Sequence, residues 1–282
     1  MLDRRLLIVT GKGGTGRSAL AASLALHAAR LGRRVLAVAM TDPLGLEGHL
    51  RTGPLGSRPL PVRPGLWALA IDPAAALDEY LRLRLRVPRL GPVTRAFRVF
   101  AETVPGIRDT VVVGKALWEA ARSEWDLVVA DAPPTGQVLS LLRAPATIEG
   151  LVPASRVRDQ AAWMRGMLAD HQATGVILVA TPEELPVAEA TETATALRGE
   201  RLAEVVAIVA NRVLPALEVD PAVVEREPPG ARRDAAVLHL EVAAGQRRML
   251  AELDADHSFP LLFGMRTPGE VASRLADMWE PS

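Results

Sequence analysis

No cysteine occurs among the 282 residues, so disulfides and thiolate-held metals are excluded, and a reducing cytoplasm is the expected location. Net charge is absent too: 33 basic residues balance 33 acidic ones. That balance gives no reason to expect nucleic acid as a partner. No stretch approaches the ~20 apolar residues needed to span a bilayer. The start, Met1 to Arg5, runs straight into a short apolar segment that ends in glycines, so no secretory signal is expected there. The five histidines are scattered, with no pair at ligand spacing, so zinc is not expected. Lysine is nearly missing. Lys12 and Lys115 stand against 31 arginines.

What the chain has in quantity is hydrophobic residues, at 49%, enough for a sizeable core. Apolar runs near Leu6–Val9, Val35–Ala39, Leu66–Ile71, Leu127–Ala130, Val176–Ala180, Val205–Ala210 and Pro260–Phe263 read as strands. Most are apolar throughout, as parallel strands covered on both faces are. Helical patterns lie between them, such as Gly16–Leu31 and Pro186–Arg198. The alternation predicts an α/β fold: a doubly wound, mostly parallel sheet flanked by helices, as one domain over 1–282. Two stretches, about 73–123 and 142–172, are too long for simple crossovers and read as helical insertions. Thr52 to Pro64 and Glu218 to Arg233 read as loops.

Gly11-Lys12-Gly13-Gly14-Thr15-Gly16-Arg17-Ser18 follows the first apolar run and opens the first helix. Glycines there let backbone N–H groups close on a polyphosphate, and the helix directs its positive end at it. The spacing fits G-x-x-x-x-G-K-[ST], with Arg17 in the lysine position. A tight strand–helix turn without ligand is the bland alternative. Gly14 to Ser18 would hold phosphates through their N–H groups, and the Ser18 hydroxyl would face Mg²⁺. Lysine at position 12, in a chain that otherwise uses arginine, suits a loop needing a compact point charge.

Two aspartates extend the site. Asp131 ends an apolar strand and is followed by Ala132-Pro133-Pro134-Thr135-Gly136-Gln137. Such an aspartate holds a magnesium shell through water or through Ser18, and the loop after it is placed to sense a γ-phosphate. Met40-Thr41-Asp42-Pro43 follows the second strand, where a carboxylate can orient water. A helix-capping role competes for Asp131 and a turn-forming Asp-Pro role for Asp42. Tyr80 to Arg89 alternates arginine with apolar residues, which fits a solvated face better than a membrane surface. Ala161, Trp163, Met164, Met167 and Leu168 have helical spacing and read as core.

Together these segments resemble the ArsA family of deviant phosphate-loop ATPases, with MinD and ParA as cousins. The similarity continues through Leu69–Tyr80, Leu139–Pro145, Thr181–Val187 and Asn211-Arg212-Val213, so it covers nearly the whole chain. The resemblance implies ATP/ADP and Mg²⁺ as cofactors and a dimer, of like or related chains, facing across the nucleotides. Gly11 to Ala19 would contact nucleotide, with Asn211 beside adenine. Lys12 would reach the partner's phosphates and Asp42 would position the attacking water. Asp131, Pro134, Thr135, Gly136 and Gln137 would form a switch. Ser18 would ligate Mg²⁺ directly, with Asp131 and Asp42 acting through water.

A client protein is implied, and transient membrane contact stays open. The cysteines by which arsenite pumps bind metalloid and tail-anchor escorts clamp zinc are missing. Arg17 leaves two readings: an ATPase of reduced rate, or a silent nucleotide-binding subunit paired with a related ATPase. A MinD or ParA-like positioning role ranks below both.

Overall fold

The computed structural model describes residues 1–83, 106–217 and 220–279. The apolar runs become strands: β1 (Leu6–Gly11), β2 (Val35–Ala39), β3 (Leu60–Arg63), β4 (Leu66–Ala70), β5 (Leu127–Asp131), β6 (Thr174–Ala180), β7 (Glu204–Val213) and β8 (His257–Pro260). Their order is β3-β4-β2-β5-β1-β6-β7-β8. Every neighbouring pair is parallel except β3 with β4. This is the mostly parallel α/β sheet expected.

Residues of β1, β2, β5 and β6 are buried at every position, which is why those segments show no polar alternation. The two-residue period still sorts them. Leu7, Val9, Ala37 and Val129 enter one hydrophobic layer; Leu6, Ile8, Val38 and Val128 enter the other. The first layer is closed by α1 (Arg17–Arg30), α2 (Leu44–Leu50) and a late helix over Pro268–Ala276. The second is closed largely by α4 (Ile107–Ala121), α5 (Thr135–Leu151) and α6 (Arg156–Ala169), with α3 (Pro73–Leu83) alongside. Helix α7 (Glu184–Gly199) follows β6, and α8 (Pro221–Arg226) and α9 (Ala231–Leu253) follow β7; the Pro268–Ala276 helix is then α10. No helix among the described residues is long and apolar enough to cross a membrane.

Several expectations change. The last strand is His257–Pro260, not Pro260–Phe263; beyond Pro260 the chain leaves the sheet and Phe263 is 66% exposed. The Thr52–Pro64 loop contains edge strand β3. The stretch read as a loop over Glu218–Arg233 contains α8 and the start of α9. Asp220 caps α8, accepting from the Ala222 N–H at 2.9 Å. Met164 and Leu168 are buried in the second layer, as read, with Trp163 and Met167 packed on it, and Ala161 is buried as well. Within the stretches 73–123 and 142–172 the described residues are mostly helical, in α3, α4, α5 and α6. The alternating segment Tyr80–Arg89 falls mostly outside the described residues.

Candidate functional site

β1 lies between β5 and β6, so its carboxyl end opens at the middle of the sheet. From there residues 12–16 turn directly into α1. Gly16 precedes the helix with φ of 92°, a left-handed conformation that suits glycine. A Cβ on Gly16 would also stand 2.3 Å from the Asn211 Nδ2. α1 has no side-chain cap and no acidic residue in its first turn. Its leading N–H groups are thus left to an outside acceptor, and an anion supplies one.

The loop is fastened from several directions. The Thr15 hydroxyl donates to the Lys12 carbonyl at 2.9 Å, and Asn211 Nδ2 donates to the Thr15 carbonyl at 2.7 Å. Asn211 is buried on β7 and supports the cradle from beneath. Thr10 Oγ1 donates to the Pro133 carbonyl at 2.7 Å, joining the end of β1 to the segment after β5. These bonds fix where the backbone amides point.

Two cations flank the cradle. Arg17 donates from Nη1 to the Ala132 carbonyl, and its guanidinium is lowered from its ordinary pKa by burial, with the Asp131 charge opposing. It therefore leans on the end of β5. Lys12 forms an ion pair with Glu189 on α7. The other Glu189 oxygen accepts from Thr135 Oγ1 at 2.7 Å. The Lys12 contact, then the Thr135 hydroxyl, holds the Glu189 carboxyl below the usual range.

The acidic side is built around Asp131, which is buried at the end of β5. Burial pushes its carboxyl up to about 6; a hydrogen bond with Ser18 and the Arg17 charge pull the other way, and Asp42 adds a further push upward. Ser18 is packed tightly against α2, where a Cβ on Gly45 would stand 2.6 Å from its Oγ. Asp42 is exposed, and its Oδ1 accepts from the Leu44 N–H at 3.1 Å. That bond is the turn-forming contact expected of an Asp-Pro pair. Asp42 also lines a cavity of about 900 Å³ together with Asp72, Asp109, Gln137 and Ser140.

These donors are all oxygen: a hydroxyl, a buried carboxylate and an exposed one. That set fits Mg²⁺, which takes one or two protein groups and fills the rest of its shell with water and phosphate. It also yields a pH prediction for the chain in chelator, without nucleotide. Asp131 titrates above the ~3.9 of a free aspartate, so the stability it lends is complete below about pH 4 and is lost as pH climbs through 6. Asp131→Asn is expected to melt about 2–6 °C above the parent at pH 8, with the gap narrowing below pH 6 and closing toward pH 4, by calorimetry.

The predicted residues largely converge. Gly11 to Ala19, Asp42, Asp131 and Thr135 meet at one end of the central strands. Pro134 takes the N-cap position of α5, and Gly136 and Gln137 are exposed in its first turn. Glu189 was not foreseen: it lies 177 residues from Lys12 on a helix without local motif, and no pattern announces it.

Known proteins resemble this chain in sequence. A sequence model of the family described as "Anion-transporting ATPase" matches residues 4–160. "ATPase BagA" of Mycobacterium tuberculosis is 35% identical over 226 residues, covering 75% of this chain and 66% of the relative. An "Arsenical pump-driving ATPase" of Acidiphilium multivorum is 29% identical over 241 residues, 76% of this chain and 40% of the relative. "ATPase get3" of Schizosaccharomyces japonicus is 28% identical over 149 residues, 51% of this chain and 44% of the relative. The aligned region spans less than two thirds of each relative's length. On the family match and the shared phosphate-loop fold, the chain belongs to the anion-transporting ATPase, or ArsA, family.

Proposed function

We propose that this chain binds Mg·ATP on residues 11–18 and hydrolyses it as one half of a dimer, the nucleotide state driving a movement that acts on a client. One observation carries the reading: Arg17, Ser18 and Asp131 converge on the uncapped start of α1, with Lys12 beside them. Ser18, with Asp131 and Asp42 through water, would hold Mg²⁺, which supplies charge neutralisation along the phosphates. The chain's own groups do the rest. Backbone amides and Arg17 orient the phosphates, Asp42 holds and aims water, and Lys12 contributes charge both to the phosphates in its own loop and toward the facing subunit. Catalysis of this kind rests on positioning and electrostatics. Titration calorimetry with ADP and a non-hydrolysable ATP analogue, in Mg²⁺ and with the mass of each complex recorded, tests it. No heat of binding to either would reject the reading.

The silent-subunit reading draws support from Arg17, whose guanidinium is engaged with the Ala132 carbonyl and the Asp131 charge. Arg17→Lys separates the two. In a working site the arginine is a fitted part, and lysine, a shorter point charge, is expected to lower phosphate release about tenfold. A gain of tenfold or more would instead establish the parent chain as silent.

A further inference from the structure

Glu189 stands on α7, whose Val187 and Ala190 are buried in a core cluster with Leu253, so its helix is fixed to the body of the protein. From that fixed point one carboxylate reaches two places. One oxygen meets the Lys12 ammonium in the phosphate loop; the other takes the hydroxyl hydrogen of Thr135, the first residue of α5. Thr135 is itself buried, at 3% exposure. Neither contact is local in sequence, and together they join three segments that converge on the phosphate site: the loop after β1, the start of the helix after β5, and α7.

We propose that Glu189 is a positioning residue, restraining Lys12 and Thr135 in the nucleotide-free chain and releasing them when phosphate oxygens arrive. The proposal rests on the nucleotide-binding reading and adds a regulatory contact to it. The physical case is one of competing charges. Glu189 offers Lys12 a single negative charge, at a pair whose side chains are 33% and 35% exposed. Pairs so exposed are weak, and a polyphosphate carries several charges. The restraint therefore suffices to hold the ammonium while the cradle is empty and yields when it fills. Thr135 is coupled to the same event because it shares the carboxylate: once Lys12 departs, the Glu189 charge loses its nearest cation and the hydroxyl bond alone remains.

The chain's composition supplies a clean test. With only Lys12 and Lys115 present, ¹⁵N-lysine labelling gives two side-chain ammonium signals, and Lys12→Met identifies which is which. In Glu189→Gln, without nucleotide, the Lys12 signal is expected to move, and Mg·ADP should move the parent's signal in the same sense. By calorimetry, Glu189→Gln should bind Mg·ADP about two- to fivefold tighter, the reciprocal of losing an exposed ion pair. In a Lys12→Met background that gain should vanish, which a merely structural role for Glu189 would not produce. A Lys12 signal unmoved by Glu189→Gln, or Mg·ADP binding that is equal or weaker, overturns the proposal. If neither chain binds Mg·ADP, the nucleotide reading itself fails and release with it, while the ammonium signal still scores the restraint separately.

Discussion

Replacing Asp42 by asparagine is expected to cut phosphate release by about 10²- to 10⁴-fold while leaving Mg·ADP affinity within about threefold. The structure makes asparagine the informative choice. Asp42 Oδ1 accepts from the Leu44 N–H as α2 begins, and an asparagine oxygen can accept the same turn bond. The start of α2, and with it the Gly45 contact on Ser18, is therefore preserved. What is removed is the negative charge toward the cavity and its push on Asp131. That second effect lets Asp131 ionise more readily, which favours rather than hinders cation binding. Lost turnover with retained binding thus isolates the aiming of water. Release at the parent rate would remove Asp42 from the reaction.

Gly16→Ala is expected to weaken Mg·ADP binding by about 30- to 1,000-fold, by calorimetry. Two costs add. A residue with a side chain pays about 1–3 kcal/mol to hold a φ of 92°. The new methyl would also stand 2.3 Å from Asn211 Nδ2, so that amide must swing off the Thr15 carbonyl it now holds at 2.7 Å. A combined 2–4 kcal/mol corresponds to roughly that loss in affinity. The two costs are separable. Asn211→Ala removes the collision but not the backbone strain, so the double variant should regain part of the loss and no more. Full recovery would mean that the left-handed turn is unimportant. No loss in the single variant would mean that the loop does not bind phosphate.

The parts of this molecule legible in its sequence were those governed by neighbours along the chain. Gly11 to Ser18 announces a cradle because turn glycines and the helix start are contiguous, and Asp131 was found because a buried strand precedes it. β3 escaped because edge position removes the signal: its residues are mostly exposed and Pro61 interrupts them. β8 was displaced because Pro260 to Phe263 looks like a strand core, yet the pairing with β7 uses His257, Ser258 and Pro260 and stops there. Asp220 before Pro221 is a helix-start signature that the charged, proline-rich surroundings obscured. Asn211 was placed at the site by resemblance, but its grip on the Thr15 carbonyl, like the Glu189 contacts, depends on strand order and is invisible until the sheet is assembled.

Strand order has one more consequence, and it concerns synthesis. β1 leaves the ribosome well before its hydrogen-bonding neighbours, which begin at Leu127 and Thr174. A mostly apolar strand must therefore wait, with both edges bare, for more than a hundred residues of translation. Long-range parallel pairing of this kind is slow and exposes the nascent chain to aggregation. The same central location that puts the phosphate loop in the middle of the finished sheet leaves β1 exposed in the unfinished one.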